Sequence, residues 1–246
     1  NHLSGYKISI ENIKNFRQIG NTPGHPEYGH TDGVETTSGP LGQGISNAVG
    51  MAIAETHLAA RFNKPNYNII DHFTYVICGD GDLQEGVALE SVSLAGHLGL
   101  GKLIVLYDSN DIQLDGEVSL ALSENTKKKF EAMDWQHILV EDGNDLNAIN
   151  RAINRAKKEG NKPSIIEVKT KIGYGTSLEG TSKVHGSPVG SSEADKLREK
   201  LNWTYKPFEV PEDVYQLFRK KVTLRGQRVH RKWKKLFEAY QEDYAD

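Results

Sequence analysis

The sequence predicts an α/β fold in which helices flank a parallel β-sheet. Apolar, β-rich runs lie at residues 73–78 and 103–107. Between them, five residues recur at the intervals of a helix face: Val87, Glu90, Ser91, Leu94 and Leu98. A strand–helix–strand unit of this kind makes its two strands parallel, with a right-handed connection.

Polar residues follow both predicted strands. Asp80 lies within Gly79-Asp80-Gly81, and Asn110 closes Tyr107-Asp108-Ser109-Asn110. Ligands of open α/β sheets bind at the carboxyl ends of the strands, and neighbouring strands are about 4.8 Å apart. We therefore expect Asp80 and Asn110 to hold one cation, while the glycines beside Asp80 let the backbone approach a phosphate. The alternative is that Asp80 only caps the helix that follows.

The rest of the chain continues the α/β pattern. A long helix begins near Gly42, with an apolar stripe at Ile45, Val49, Ala52 and Ile53. The other predicted elements are a helix at Glu11–Arg17, a helix at Thr126–Met133, a strand at His137–Val140, a helix capped by Asp145 and running to Lys158 with Leu146, Ile149, Ile153 and Ala156 inward, and a strand at Ser164–Val168. Residues 173–192 are rich in Gly and Ser, and we interpret them as an active-site loop.

Composition excludes several classes of function. The 246 residues carry a formal net charge of −3, which gives no overall attraction to nucleic acid or to an anionic membrane. No apolar run approaches the about 20 residues of a membrane span, and no signal-peptide pattern opens the chain. The single cysteine, Cys78, lies in a predicted strand, so a disulfide framework is absent and a cytoplasmic location is expected.

The C-terminal stretch is basic, with nine Lys and Arg residues between Arg219 and Lys235. Apolar residues recur there at helical intervals: Val229, Trp233, Leu236, Phe237 and Tyr240. Acidic residues follow at once. This pattern favours an amphipathic helix with a solvated basic face over a nucleic-acid-binding segment.

Three further segments, together with the Gly-Asp-Gly…Asn pair, carry a family resemblance. These are Thr22–Glu27 (TPGHPE), Gly33–Gly44 (GVETTSGPLGQG) and Ser93–Lys102 (SLAGHLGLGK). The chain resembles transketolase in their order and spacing, and the resemblance covers nearly its whole length. It implies the thiamine-diphosphate-binding fold, and within it the diphosphate-binding domain.

The resemblance also implies a domain organisation. Residues 1–192 correspond to the diphosphate- and metal-binding domain, without about the first seventy residues of the family. Residues 193–246 correspond to a helical extension that leads toward an absent pyrimidine-binding domain.

The resemblance assigns residues to the cofactor and the metal. Mg²⁺ (or Ca²⁺ or Mn²⁺) is expected on Asp80, Asn110 and the carbonyl of Ile112, a set of oxygen ligands that suits a hard cation. Thiamine diphosphate is expected on six residues: Gly39, Leu41, Gly81, Asn110, Leu114 and His185. The Gly81 amide is expected to face the diphosphate.

The resemblance assigns further residues to the substrate and to catalysis. His25 and His185 are expected to face the substrate, where histidine can donate hydrogen bonds and exchange protons near neutral pH. Arg17 is expected to contact the substrate. Glu85, with Glu90, matches a pair of buried acids that meet the other subunit of a dimer. Without the resemblance, all of these side chains fit ordinary solvated positions.

The implied activity is transfer of a two-carbon ketol unit from a ketose phosphate to an aldose phosphate, within the pentose phosphate pathway. The implied assembly is a homodimer, and the chain alone is expected to be inactive because the glutamate that activates the cofactor belongs to the following domain. Three alternatives remain: one subunit of a split transketolase with a separate pyrimidine-binding partner, a relative similar to dihydroxyacetone synthase, and a non-catalytic cofactor-binding module. Asp82-Leu83-Gln84 and Gln113-Leu114 depart from the usual family pattern, which leaves the sugar preference open.

Overall fold

The computed structural model describes residues 1–245, which form eight α-helices and four β-strands. In chain order these are α1 (Ile10–Lys14), α2 (Gln43–Phe62), β1 (Thr74–Gly79), α3 (Gly86–His97), β2 (Leu103–Ser109), α4 (Thr126–Ala132), β3 (Gln136–Val140), α5 (Leu146–Ala156), β4 (Ser164–Lys169), α6 (Ser191–Lys200), α7 (Glu212–Phe218) and α8 (Leu224–Asp243). The alternation of strands and helices between residues 74 and 169 is that of an α/β protein.

The chain divides into two compact units. The sheet unit contains Pro40–His57 and His72–Trp203, and the terminal unit contains Asn1–Gly39, Leu58–Asp71 and the residues from Thr204 onward. Helix α2 therefore contributes its first part to one unit and its last turn to the other. The division at residue 192 that the sequence suggested stays a prediction.

All four strands of the sheet unit are parallel, in the order β1-β2-β4-β3. Strand β1 pairs with β2 so that Gly79 lies opposite Asp108. Strand β2 also pairs with β4, which brings Ser109 opposite Lys169. The carboxyl ends of β1, β2 and β4 consequently meet at one edge of the sheet, which confirms the predicted fold class.

Each face of the sheet packs against helices. On one face, buried residues of β1 and β2 meet apolar side chains from α2, α3 and α4, and Trp135 donates its indole N–H to the Val92 carbonyl at 2.8 Å. On the other face, buried residues of β3 and β4 pack against α5. Strands β2 and β4 are covered on both faces, so they are buried along nearly their whole length and do not alternate apolar and polar residues. The predicted stripe of α2 is confirmed, since Ile45, Val49 and Ala52 are buried.

Three local predictions need correction. The first helix ends at Lys14, because Asn15 already departs from the helical backbone (φ −94°, ψ 25°), and Arg17 then adopts a left-handed backbone (φ 66°) that no α-helix can continue. Leu146 was predicted to point inward but is 76% exposed, since it is the first residue after the cap Asp145 and lies outside the inward stripe. In α8 the predicted apolar stripe is only partly covered, and Val229 is 55% exposed.

In the terminal unit, aromatic side chains of α8 pack on one another and on the segment before the sheet. The Trp233 and Phe237 rings stack at 5.1 Å, and the Trp233 indole donates to the Ile69 carbonyl at 2.8 Å. No helix within residues 1–245 is both long and apolar enough to cross a bilayer.

Candidate functional site

The carboxyl ends of β1 and β2 bring Asp80 and Asn110 together, as their spacing predicts. One Asp80 carboxylate oxygen accepts the backbone N–H of Asn110 at 3.3 Å, and the Asp80 residue is only 5% exposed. Burial raises the pKa of this carboxyl above its ordinary value, although hydrogen bonds from Tyr107 and Asn110 oppose the shift. A buried carboxylate of this kind gains from a cation that compensates its charge.

Tyr107 holds the second Asp80 oxygen. Its hydroxyl donates to Asp80 Oδ1 at 2.5 Å, across the pair of strands in which Cys78 lies opposite Tyr107. Burial is the larger cause, and the hydrogen bond to the Asp80 carboxylate the smaller one, that raises the pKa of the Tyr107 phenol. The hydroxyl therefore remains a donor at neutral pH. Tyr107 is not among the site residues predicted from the sequence. Its position in the polar segment at the end of β2 was the feature of the sequence that could have indicated a role in the site.

The loop after β2 shapes the other expected metal ligands. Asn110 Oδ1 accepts the N–H of Ile112 at 3.0 Å, and the Asn110 amide donates to Asp108 at 3.3 Å. Asp111 between them has a positive φ of 63°, which turns the chain sharply. Within residues 1–245 no three His, Cys, Asp or Glu side chains form a metal-binding group. The three expected ligands are instead a carboxylate, an amide oxygen and a carbonyl oxygen, which suit Mg²⁺. The cofactor would complete the coordination shell of the ion.

A cleft of about 1130 Å³ opens at this edge of the sheet. Eight of the predicted site residues line it: Leu41, Asp80, Gly81, Glu85, Asn110, Ile112, Leu114 and His185. Leu41 and Leu114 are 53% and 67% exposed, so two apolar side chains are available to an aromatic ligand. Ligand pockets commonly have volumes of about 300–1,000 Å³, so the cleft has room for a cofactor.

Asp82 joins the two loops at the mouth of this cleft. Its carboxylate accepts the N–H of Gly79 at 2.8 Å and the N–H of Gly42 at 2.9 Å. Gly42 has a φ of 78°, and a Cβ there would lie 2.8 Å from the Glu85 Cβ, so only glycine fits. By holding Gly42, Asp82 fixes the neighbouring Leu41 beside Gly81, and a Cβ on Gly81 would lie 3.1 Å from the leucine side chain. Asp82 is one of the residues that depart from the family pattern.

His185 reaches the cleft from the Gly- and Ser-rich loop. The loop is folded, because Gly180 donates its N–H to the Ile172 carbonyl at 2.8 Å and a helical turn spans Ser182–Val184. The Nδ1 atom of His185 is buried and has no hydrogen-bond partner within residues 1–245. A buried polar atom without a partner costs free energy, so it fits a ligand that would complete the bond.

Glu85 and Glu90 are exposed within this chain. Glu85 precedes α3 and its side chain makes no capping hydrogen bond. Their predicted contact with a second subunit stays a prediction.

The other predicted residues gather in the terminal unit. A Cβ on Gly24 would lie 2.5 Å from the Arg17 guanidinium, and a Cβ on Gly39 would lie 3.2 Å from the His25 ring. The Arg17 N–H also donates to the Thr22 carbonyl at 2.9 Å. The structure thus places Arg17 against Gly24 and the exposed His25 against Gly39, in a unit separate from the cleft residues.

A charged cluster at the end of β4 was not predicted. Glu167 is 7% exposed and bonds to His137 Nε2 at 2.8 Å and to Lys169 Nζ at 3.0 Å. Burial alone would raise the pKa of Glu167, but the bonds from His137 and Lys169 outweigh it and lower the pKa. The sequence did indicate that Glu167 and Lys169 are neighbours, because residues two apart on a strand have side chains on the same face of the sheet.

We expect Glu167→Gln to lower the free energy of unfolding at pH 7 by about 1–3 kcal/mol, the range for a lost charged hydrogen bond. A carboxyl whose folded-state pKa is depressed contributes stability above its unfolded pKa, here 4.5. That contribution disappears as the pH falls through the folded-state pKa. Urea unfolding of the unaltered protein and of Glu167→Gln, at pH 7 and at pH 3.5, measures the difference in the free energy of unfolding at each pH. An unchanged difference between the two proteins at the lower pH would contradict this prediction.

The fold is that of an α/β protein with a cleft at the carboxyl edge of its parallel sheet, the place where open α/β sheets bind ligands. Over residues 1–246 the chain matches the family described as transketolase, thiamine diphosphate binding domain, and it belongs to that family. A transketolase from Streptococcus pyogenes is 56% identical over the whole chain, which covers 34% of that relative. The chain thus spans about a third of the length of the curated relatives it matches.

Solved structures agree with this assignment. The transketolase from Leishmania mexicana superposes with a TM-score of 0.96 at 46% identity, covering 99% of this chain and 37% of that one. A Pichia stipitis transketolase in complex with sedoheptulose-7-phosphate has a TM-score of 0.95 at 42% identity, covering 99% of this chain and 36% of that one. The resemblance stated from the motifs is confirmed.

Proposed function

We propose that this chain is the diphosphate- and metal-binding part of a transketolase that moves a two-carbon ketol unit from a ketose phosphate to an aldose phosphate. The observation that carries the proposal is the convergence of Asp80, Gly81, Asn110 and His185 on one cleft, in a chain of this family. The sugar phosphate in the Pichia stipitis complex supports sugar phosphates as the substrate class.

The metal would be held by Asp80, Asn110 and the carbonyl of Ile112. Mg²⁺ is the expected ion, with Ca²⁺ or Mn²⁺ as substitutes that accept the same oxygen ligands. Asp80 supplies the one charged ligand, and the Tyr107 hydroxyl orients it.

The diphosphate would lie against the Gly81 amide, since Gly81 has no side chain to keep a phosphate from the backbone. Leu41 and Leu114 offer apolar surface to the rings, and Gly39 is expected to contact the middle of the cofactor. Thiamine diphosphate, when bound, supplies the reactive carbon that takes up and passes on the ketol unit. The protein contributes orientation and exclusion of water.

Proton handling and sugar binding would fall to His185, His25 and Arg17. The buried Nδ1 of His185 is available to a phosphate or a sugar hydroxyl, and a neutral imidazole can accept a proton at its other nitrogen. Arg17, whose guanidinium packs over Gly24, would pair with an anionic substrate group.

The proposed assembly is a cytoplasmic homodimer that serves the pentose phosphate pathway, with Glu85 and Glu90 meeting the second subunit. A split enzyme with a separate pyrimidine-binding subunit is the second candidate. Co-purification of a companion chain from the source would distinguish the two.

The test is a transfer assay on the protein expressed from its complete gene. With sedoheptulose 7-phosphate as donor and an aldose phosphate as acceptor, we expect turnover that requires both thiamine diphosphate and Mg²⁺. Cofactor binding without any transfer would instead support a non-catalytic module. A preference for formaldehyde as acceptor would support a relative of dihydroxyacetone synthase.

We expect the 246-residue segment alone, expressed separately, to show no ketol transfer. Its relatives are about three times as long, and family resemblance gives the group that activates the cofactor to a following domain. The assay is run with saturating thiamine diphosphate and Mg²⁺ while light scattering records the mass. Turnover by a clean monomer would contradict the prediction.

A further inference from the structure

A second cavity, of about 790 Å³, shares Asp80, Asn110 and Ile112 with the cofactor cleft. Along β4 and the residue after it, Val168 and Thr170 line the cleft, while Glu167 and Lys169 line the second cavity. Successive side chains of a strand point to opposite faces of the sheet. The expected metal ligands therefore form a wall between two cavities, and the charged cluster of β4 lies behind that wall.

Lys169 contacts the residues on both sides of Asn110. Its ammonium is 2.8 Å from Ser109 Oγ and 4.0 Å from the Asp111 carboxylate. Ser109 is 2% exposed, and its carbonyl accepts the N–H of Thr170 at 3.2 Å. The chain segment that carries Asn110 is thus tied to β4 at the side chains and at the backbone.

This tie explains how the turn after Asn110 is maintained. Asp111 has a positive φ, a conformation that costs free energy for a residue other than glycine and persists only where surrounding contacts enforce it. The Lys169 ammonium attracts the Asp111 side chain, and the N–H of Val118 donates to the Asp111 carbonyl at 3.0 Å. Asn110 and Ile112, on either side of Asp111, take their positions from this turn.

The charge of Lys169 needs compensation, because an unpaired cation behind the ligands would repel a divalent metal. Glu167 provides it at 3.0 Å, and His137 holds the other Glu167 oxygen at 2.8 Å. The cluster can therefore anchor the loop through a lysine without placing a net positive charge beside the metal.

We propose that Lys169 is a positioning residue for the metal: it holds Ser109 and Asp111, and through them Asn110 and Ile112, in the arrangement that binds the cation. The proposal rests on the proposed function, since the metal site belongs to it. Lys169 touches neither the cofactor cleft nor the reacting atoms, and it acts through its neighbours.

The experiment measures Mn²⁺ affinity by electron paramagnetic resonance, with saturating thiamine diphosphate, on the protein expressed from its complete gene. The test variant is Lys169→Met/Glu167→Gln, which removes both charges so that neither is left buried alone. We expect the metal Kd to rise about 10–100-fold, the range for partners that orient metal ligands. Lys169→Arg, which keeps the charge and the donors, should restore most of the affinity.

The matched control is Lys102→Met/Glu55→Gln, which removes a Lys–Glu pair at 2.7 Å near the amino end of β2. We expect it to lower the melting temperature but to leave the metal Kd unchanged. Equal metal Kd values for the Lys169→Met/Glu167→Gln variant and the unaltered protein would overturn the positioning role. A loss of affinity in the control as large as in the test variant would do the same, because it would show a general effect of destabilisation. Absence of saturable Mn²⁺ binding by the unaltered protein would overturn the metal site itself.

Discussion

Asp80→Ala is expected to abolish metal-dependent binding of thiamine diphosphate. Asp80 is the only charged side chain among the three expected metal ligands, and it is held in place by Tyr107 and the Asn110 N–H. Without it the cation would face an incomplete oxygen shell, and the diphosphate would lose its bridge to the protein. We expect a loss larger than the about 10–100-fold that follows removal of an orienting partner.

Isothermal calorimetry with and without Mg²⁺ measures this loss. The matched control is Asp142→Ala, which removes an exposed aspartate from the loop after β3, at the same edge of the sheet. The control should bind the cofactor as the unaltered protein does. Unchanged, Mg²⁺-dependent cofactor affinity in Asp80→Ala would contradict the assignment and would favour Asp80 as an ordinary loop residue.

His185→Ala is expected to lower kcat/KM for ketol transfer by about 10²–10⁴-fold, the range for a group that transfers a proton in the transition state. The imidazole lines the cleft and its Nδ1 is buried without a partner, so the side chain is already placed for a ligand. Because the loop around it is held by its own backbone bonds, we expect little change in the melting temperature.

Two further variants define what the histidine does. His185→Asn keeps a hydrogen-bond donor without a titrating group, so it should retain the hydrogen bond to the ligand but lose the pH profile of kcat/KM. His97→Ala, which removes an exposed histidine at the end of α3, should behave as the unaltered protein. Normal kinetics in His185→Ala would show that the residue is an ordinary loop histidine.

His25→Ala is expected to lower kcat/KM as well, and His30→Ala, which removes another exposed histidine, is its control.

Much of the fold could be predicted because local patterns and topology agree. The apolar runs at 73–78 and 103–107, with a helix between them, predict two parallel strands, and parallel strands bring Asp80 and Asn110 to one edge of the sheet. The corrections concern positions where single residues override the pattern. Asn15 and Arg17 depart from the helical backbone and end the first helix early, and Leu146, the first residue after a helix cap, lies outside the inward stripe.

The sequence by itself determined the parallel sheet, the meeting of Asp80 with Asn110, and the family, because the periodicity of the elements and the spacing of the motifs can be read directly from the chain. Only the tertiary structure decided which side chains support those residues. Tyr107, Asp82 and Lys169 act across neighbouring strands or between loops, and no local pattern specifies a partner tens of residues away. Their roles depend on strand register, which sets which face of the sheet each side chain occupies.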